Sequence, residues 1–460
     1  MNTKQIRQTI LDLAIRGELV PQDPTDEPAS VLLKRIRAEK EQLIKDKKLK
    51  RDKKESEPID EVPFELPEGW EWCRLGEVCF FKGGYAFKSN KYIEKSNNQV
   101  IRIGNVKNNN LILSNQPVYV PDTLQNEIED YHIKENDLLF TMTGTKGKRD
   151  YFYTLVVPKV KHNLYLNQRV GLLRVILSEL NIYFINLVLK HQFVLDSIFQ
   201  TETGNVNQGN IGSENTLNLL IPIPPLAEQH RIVEKVEQLF ALVDTIETHK
   251  EQLKSDVKQA KNQVLNYAIA GKLTHQDPND EPAEELLKRI GKTTTTAADT
   301  PYEKLPERWA WCRLGDITKT IATKPYQILQ SEIEKNGNFP VISQSANYIE
   351  GFSSDETKVL KVEDFIIVFG DHTRVVKYID FDFIVGADGV KVILPNNNLS
   401  KYLYYLILNA SYKIENRGYS RHFQFLQKEF FPLPPLAEQY RIVQKIETYF
   451  SFLDTIESNL

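Results

Sequence analysis

Three blocks of this 460-residue chain occur twice, and the duplication limits the architectures open to it. Residues 14–36, AIRGELVPQDPTDEPASVLLKRI, return at 268–290 as AIAGKLTHQDPNDEPAEELLKRI, with 16 of 23 positions identical. LPEGWEWCRLGEV at 66–78 returns as LPERWAWCRLGDI at 305–317. PIPPLAEQHRIVEKVEQLFALVDTIE at 222–247 returns as PLPPLAEQYRIVQKIETYFSFLDTIE at 432–457. Each block aligns without gaps, whereas the segments between them, roughly 79–221 and 318–431, resemble each other little. One frame therefore occurs twice and carries two different inserts, as expected of a scaffold that presents two specificities.

The frame reads as long helix. Some 45 residues from Leu226 pass without Gly or Pro until Gly271. Their apolar positions, Ile232, Val236, Leu239, Val243, Ile246, Leu253, Val257, Ala260, Val264 and Tyr267, keep a 4-3-4-3 spacing broken only at Lys250. That spacing predicts a coiled-coil seam, on a rod of roughly 65 Å at 1.5 Å per residue. Ile442, Ile446, Tyr449, Leu453 and Ile456 repeat it near the C-terminus, and Ile6, Ile10 and Leu13 continue it at the N-terminus. Under the block offsets these terminal pieces make one second helix lacking only four positions, the counterparts of 251–254. They are expected to abut and to pair antiparallel with helix 226–270, a pseudo-two-fold repeat. Residues 34–54 carry 11 basic and 4 acidic side chains, whereas their counterpart 291–304 is Thr-rich. A run absent from the second copy reads as a solvated helix face or linker.

The inserts read as strand, loop and helix. Apolar runs at 137–144, 170–177, 364–370 and 389–395 are bounded by Gly, Pro or Asn and predict buried strands. Helical stretches follow at 181–199 and 399–414. The expected class is α+β, with two globular α/β domains separated by two long antiparallel coiled-coil helices.

Composition narrows the function. With 58 Lys+Arg, 62 Asp+Glu and a net charge of −4, the chain is no polycation wrapped in nucleic acid. No apolar run reaches the roughly 18 residues of a membrane span, and the first residues lack a signal peptide's apolar stretch. A reducing cytoplasm is the expected compartment. Cys73, Cys79 and Cys312 have no C-x-x-C spacing, which argues against a disulfide scaffold or zinc site. Cys73 and Cys312 stand beside the matched Trp72 and Trp311 and read as packed core thiols. Gly144 to Lys148 has the wrong spacing for a P-loop, and neither G-x-G-x-x-G after a strand nor H-E-x-x-H occurs. Glu356-Thr357-Lys358 matches the E-x-K of metal-dependent nucleases but lacks a convincing upstream Asp partner, and Asp380 and Asp382 read as a solvated turn. A binding protein is favoured over an enzyme, and no catalytic or metal-ligating residue is assigned.

P-x-P-P-L-A-E-Q-x-R-I-V leading into a heptad helix, present twice, closely resembles the specificity subunit of type I restriction-modification enzymes. The LPEGWEWCRLGEV block, GGYAFKSN at 83–90, Asn167-Gln168 and the AIRGEL/AIAGKL blocks extend the resemblance over most of the chain. It implies two target-recognition domains, each reading one half of a split site in double-stranded DNA. It also implies two modification subunits docked on the helices, joined by restriction (translocase) subunits. S-adenosylmethionine, ATP and Mg²⁺ would belong to those partners, with no cofactor in this chain. The corresponding boundaries are an N-terminal frame segment at 1–65, recognition domain 1 at 66–221, the central helix and linker at 222–304, recognition domain 2 at 305–431 and a C-terminal helix at 432–460.

Neither insert is basic overall. Residues 67–221 hold 16 Lys+Arg and 15 Asp+Glu, and residues 306–431 hold 15 of each. DNA contact would then rest on local loops. Candidates are Lys146, Lys148 and Arg149 in TGTKGKR, and Asn207, Gln208 and Asn210 in GNVNQGN. In the second insert they are His372 and Arg374 in GDHTR, with Arg417, Arg421, His422 and Gln424 in NRGYSRHFQ. Arg suits guanine and Asn or Gln suits adenine in the major groove, while an ordinary surface loop accounts equally well for any one of them. Two competing readings stay open: the recognition chain of a methylation-only complex, and a coiled-coil assembly scaffold that never touches DNA. A self-sufficient nuclease is the third and least supported class.

Overall fold

The computed structural model describes residues 2–51, 59, 61–205, 207–292, 304–396, 399–415, 418 and 420–460. It divides into two compact units, 2–248 and 249–460, and the division falls inside one 44-residue helix, Leu226–Ile269.

In the first unit the insert opens and closes on a two-stranded antiparallel ribbon. Glu71–Arg74 pairs with Leu220–Ile223, placing Cys73 opposite Ile221. The main sheet is wholly antiparallel, in the order Cys79–Gly83, Val170–Val175, Leu138–Thr141, Thr154–Val156. A smaller sheet joins Asn98–Ile101, Asn163–Leu166 and His132–Ile133. The central strand Leu138–Thr141 is buried throughout because both its faces are covered. Leu138, Phe140 and Leu173 pack with Phe184 and Val188 of the helix Ile182–Val188, while Leu139 and Leu172 pack with Ile101 and Leu164 of the smaller sheet.

The second unit repeats this plan although its insert shares little sequence with the first. Ala310–Arg313 pairs with Phe430–Leu433, and the main sheet runs Thr318–Ile321, Val390–Pro395, Ile366–Gly370, Val376–Ile379. Ile367, Phe369 and Ile393 face Leu403 and Ile407 of the helix Tyr402–Lys413, while Ile366, Val368 and Val392 face Ile342 and Phe383.

The repeated motifs are the joints of the frame. Gly17 ends the helix Thr3–Arg16 at φ 75°, and a Cβ there would lie 2.5 Å from Pro67 Cγ. Gly271 has φ 65°, with Pro306 Cγ 2.4 Å from the same position. Only glycine meets both demands, so the glycine of AIRGEL/AIAGKL and the proline of LPEG/LPER occur together in both copies. The Glu of PPLAEQ is the second joint. Glu228 is buried and accepts from Trp70 Nε1 (3.0 Å) and Gln22 Nε2 (3.1 Å), and Glu438 accepts from Trp309 Nε1 (2.9 Å) and Gln276 Nε2 (3.1 Å). Burial pushes the Glu228 carboxyl above the usual carboxylate range, against the pull of these two donors. The adjacent Gln229 and Gln439 donate to Pro224 O and Pro434 O, each at 3.0 Å.

Helix pairing follows the same symmetry. Arg7 contacts Asp244 (2.5 Å) and Glu247 (3.3 Å), while further along Asp26 contacts Arg231 (2.7 Å), so the N-terminal segment runs antiparallel to its half of the long helix. In the second unit Lys261 contacts Asp454 (2.6 Å) and Glu457 (2.9 Å), and Asp280 contacts Arg441 (2.5 Å). Each of these positions is the repeat counterpart of the first set.

The seam departs from the strict heptad. Ile232, Val236, Val243 and Val257 are buried as expected, but beyond them Leu265 and Ala268 are buried while Tyr267 is 53% exposed. Ile246, Leu253, Tyr449 and Ile456 are exposed as well. A straight helix drifts about 20° per heptad from a 3.5-residue repeat, so after five heptads the buried stripe has moved by about one residue. Three arginines of the basic run are paired locally: Arg35 with Glu27 and Glu179, Arg37 with Glu77 and Arg51 with Glu41. Its helix, Ala29–Lys45, buries Leu32, Leu33 and Ile36. Residues 52–54 of that run and 293–303 of its counterpart lie outside the described residues. The three cysteines are free and buried, and burial pushes the Cys79 thiol up to about 12.

Candidate nucleic-acid interface

In each unit two separate candidate loops come together beside the main sheet. In the first, Thr143–Gly144 pairs with Gln208–Asn210, which pairs in turn with Thr203–Asn205. TGTKGKR and GNVNQGN thus form one three-stranded platform. Glu202 clamps it, accepting from Tyr151 Oη (2.6 Å) and from the backbone N–H of Gly147 (3.0 Å). Lys146 Nζ donates to Gly204 O at 2.9 Å. The glycines are required by close approach: a Cβ on Gly209 would lie 2.1 Å from Glu202 Oε1, and one on Gly204 would lie 2.1 Å from Gln208 O at φ 117°.

On this platform Lys148, Asn207 and Gln208 are exposed, with Gln208 Nε2 donating to Asn210 Oδ1 at 3.2 Å. Arg149 is exposed but engaged, 2.6 Å from Asp196 and over the Phe199 ring. Such a half-exposed pair is worth little and leaves the guanidinium exchangeable.

In the second unit GDHTR and the described part of NRGYSRHFQ meet in the same way. Asp371 Oδ1 accepts from Phe423 N (2.9 Å), and its carbonyl accepts from His422 N (2.8 Å). His372 Nδ1 lies 3.2 Å from Ser420 O, and Arg374, at φ 63°, donates to Ile414 O at 2.6 Å. Arg421 and Gln424 are exposed. His422 is not a surface residue. It is fully buried with Nδ1 2.9 Å from Asp371 O, so it holds the loop and presents nothing to a ligand. Arg417 lies outside the described residues.

The two loop pairs occupy equivalent places. Met142 N donates to Arg169 O (3.1 Å) and Ile211 N to Met142 O (2.9 Å), just as Asp371 N donates to Gly389 O (2.7 Å) and His422 N to Asp371 O (2.8 Å). Sequence reasoning missed the residues that build this corner, Glu202, Asp371 and Gln344, whose Oε1 accepts from His372 N. A lone acidic or amide residue in a loop gives no periodic signal. Among the described residues no group of three or more His, Cys, Asp or Glu side chains is placed to hold a metal ion, and no single helix is long and apolar enough to cross a membrane.

The sequence matches the family described as type I restriction modification DNA specificity domain over residues 67–255 and 306–460, one match for each frame and insert. The chain belongs to this family. Among its relatives, the type I restriction enzyme EcoEI specificity subunit of Escherichia coli is 27% identical, over 99% of this chain and 90% of that one. The EcoAI specificity subunit of the same species is 27% identical over 96% and 88%. Solved structures share the fold of this specificity-family chain. The HsdS subunit from Thermoanaerobacter tengcongensis aligns at TM-score 0.50 and 19% identity, covering 87% of this chain and 93% of that one. A chain from a study of complex assembly and conformational transition in the type I R-M system aligns at TM-score 0.60 and 20% identity, covering 86% and 94%.

Proposed function

We propose that this chain is the non-catalytic DNA-recognition subunit of a type I restriction-modification complex, reading a bipartite, asymmetric site in double-stranded DNA. The observation that carries the reading is the equivalence of the two loop corners. The same backbone hydrogen bonds hold different side chains: Lys, Arg, Asn and Gln in the first unit, His and Arg with Gln in the second. One fold position with two residue sets suits two unlike half-sites, whereas a symmetric reader needs identical ones.

The partner reading rests on a second equivalence. Leu242 and Phe452 are repeat counterparts on the frame helices and are 60% and 66% exposed, with Ile246 and Ile456 one turn on, also exposed. Two matched apolar spots suit two copies of one partner, the modification subunits, with restriction subunits joining that core. S-adenosylmethionine, ATP and Mg²⁺ act on those partners, in the cytoplasm. Mapping the methylated positions in DNA exposed to the assembled complex tests the proposal. A split site whose halves change one at a time when the inserts are exchanged is expected. Methylation independent of both inserts would overturn it, and the co-purifying chains tell a restriction complex from a methylation-only one.

A further inference from the structure

A hollow of about 410 Å³ opens beside the first platform, within the range of small-molecule sites. Phe87, Tyr92, Arg102, Asn167, Gln168 and Arg169 line it, and no carboxylate does. Arg102 Nη2 donates to Gln116 O at 2.5 Å, but its Nε is buried and lacks a hydrogen-bond partner among the described residues. Two guanidinium groups, those of Arg102 and the exposed Arg169, in a concave, carboxylate-free site suit an anion. Aromatic rings beside it supply a face for a planar ring. The hollow also adjoins the platform through the hydrogen bond from Met142 N to Arg169 O, one residue before Thr143 enters the three-stranded sheet.

Resting on the DNA-recognition reading, we infer that this hollow takes a single nucleotide. Its phosphate lies on Arg102 and Arg169, its base lies against Tyr92 and Phe87, and Asn167 and Gln168 meet the base edge. A base still stacked in a duplex presents only its groove edge, so a hollow is suited to a nucleotide that has left the stack. Its source is an unstacked nucleotide of the bound DNA or a free one, and both present the same phosphate and ring. The second unit supplies an internal contrast. The equivalent connector is Gly386-Ala387-Asp388-Gly389, with Gly389 at the place of Arg169 and the acidic Asp388 beside it. The nucleotide site therefore belongs to the first half-site only.

The test uses the full chain assembled with its modification subunits, on the duplex site found by methylation mapping. 2-Aminopurine is placed at each position of the two half-sites in turn, and free dAMP, dGMP, dCMP and dTMP are titrated separately. A fluorescence rise at a position of the first half-site other than the methylated base, which the modification subunit itself draws from the stack, or saturable binding of a free monophosphate, is expected and tells the two sources apart. Arg169→Gln, at an exposed side chain, should weaken the positive arm about tenfold or more, the worth of one charge-assisted contact. Arg102→Gln should do the same. The inference is overturned if both arms are silent, or if neither substitution changes the response, while wild-type complex still binds its site specifically. Loss of site-specific binding by the wild type would instead overturn the recognition reading.

Discussion

His422 donates its backbone N–H to the carbonyl of Asp371 at 2.8 Å, and Ile211 donates to Met142 in the same position of the other unit at 2.9 Å. These bonds tie the last loop of each insert to the end of a central strand. They fix the height at which the neighbouring side chains stand, and Arg421 is the exposed neighbour of His422. Arg421→Ala should leave stability within about 0.5 kcal/mol and relax recognition of one half-site only. Binding to sites altered in either half checks this, and equal loss at both would refute it.

His422→Ala is expected to act differently. It empties a fully buried position, so it should lower the stability of the second unit by about 2–4 kcal/mol, as large-to-small core substitutions do. Chemical denaturation followed by hydrogen exchange, resolved by unit, separates this from a contact defect.

Gly209→Ala forces a methyl to within 2.1 Å of Glu202 Oε1 and 2.7 Å of Tyr151 Oη. The expected cost is about 1–3 kcal/mol, confined to the hairpin at 203–210. Faster amide exchange there, with loss of the first half-site and retention of the second, is the predicted outcome.

Trp70→Phe and Trp309→Phe remove the same donor from Glu228 and Glu438. Each should cost about 1.5–3 kcal/mol, the range for a hydrogen bond to a charged group. Each should act on its own unit, so calorimetry is expected to show one shifted transition in each variant and unequal effects would contradict the repeat.

Lys377 is buried, donates to Ser343 O at 2.8 Å and to Asn347 O, and burial pushes its ammonium down to about 8 from 10.5. The folded value lies below the unfolded one, so folding disfavours the charged form. This penalty is full below pH 8 and fades as pH rises from about 8 toward 10.5. Stability of the second unit should therefore climb across that window, by at most about 1.4 kcal/mol per pH unit. Lys377→Met should remove this part of the slope in urea titrations at several pH values.

Leu242→Asp and Phe452→Asp change exposed positions and should leave the isolated chain folded. If each spot takes one modification subunit, as proposed, each substitution should remove one bound modification subunit and the double variant both, as read by the mass of the intact complex.

The frame was legible because it is written twice. The repeat marks the AIRGEL/AIAGKL, LPEGWEWCRLGEV/LPERWAWCRLGDI and PPLAEQ blocks, but the matched tryptophans that it draws attention to are Trp72 and Trp311, whereas Trp70 and Trp309 are the ones bonded to Glu228 and Glu438. The common topology of the inserts was not legible. Their strands alternate between two apolar faces, so Leu138 and Leu139 look alike in sequence while packing on opposite sides. The heptad reading erred at Tyr267 because small angular drift accumulates along a straight helix. The loop candidates were recognisable as residue types, but only the fold separates exposed Arg421 from buried His422, one residue apart.

The ribbons at 71–74 with 220–223 and 310–313 with 430–433 bring the two ends of each insert onto adjacent strands. A frame entered and left through one narrow socket is indifferent to what hangs between, which is how 140-odd and 110-odd residues of unrelated sequence can hang from the same joints. New specificity then costs the chain nothing in its helices. An exchanged insert needs only to end on two neighbouring strands, and a partner docked on the frame, as proposed, would meet the same surface whichever insert is plugged in.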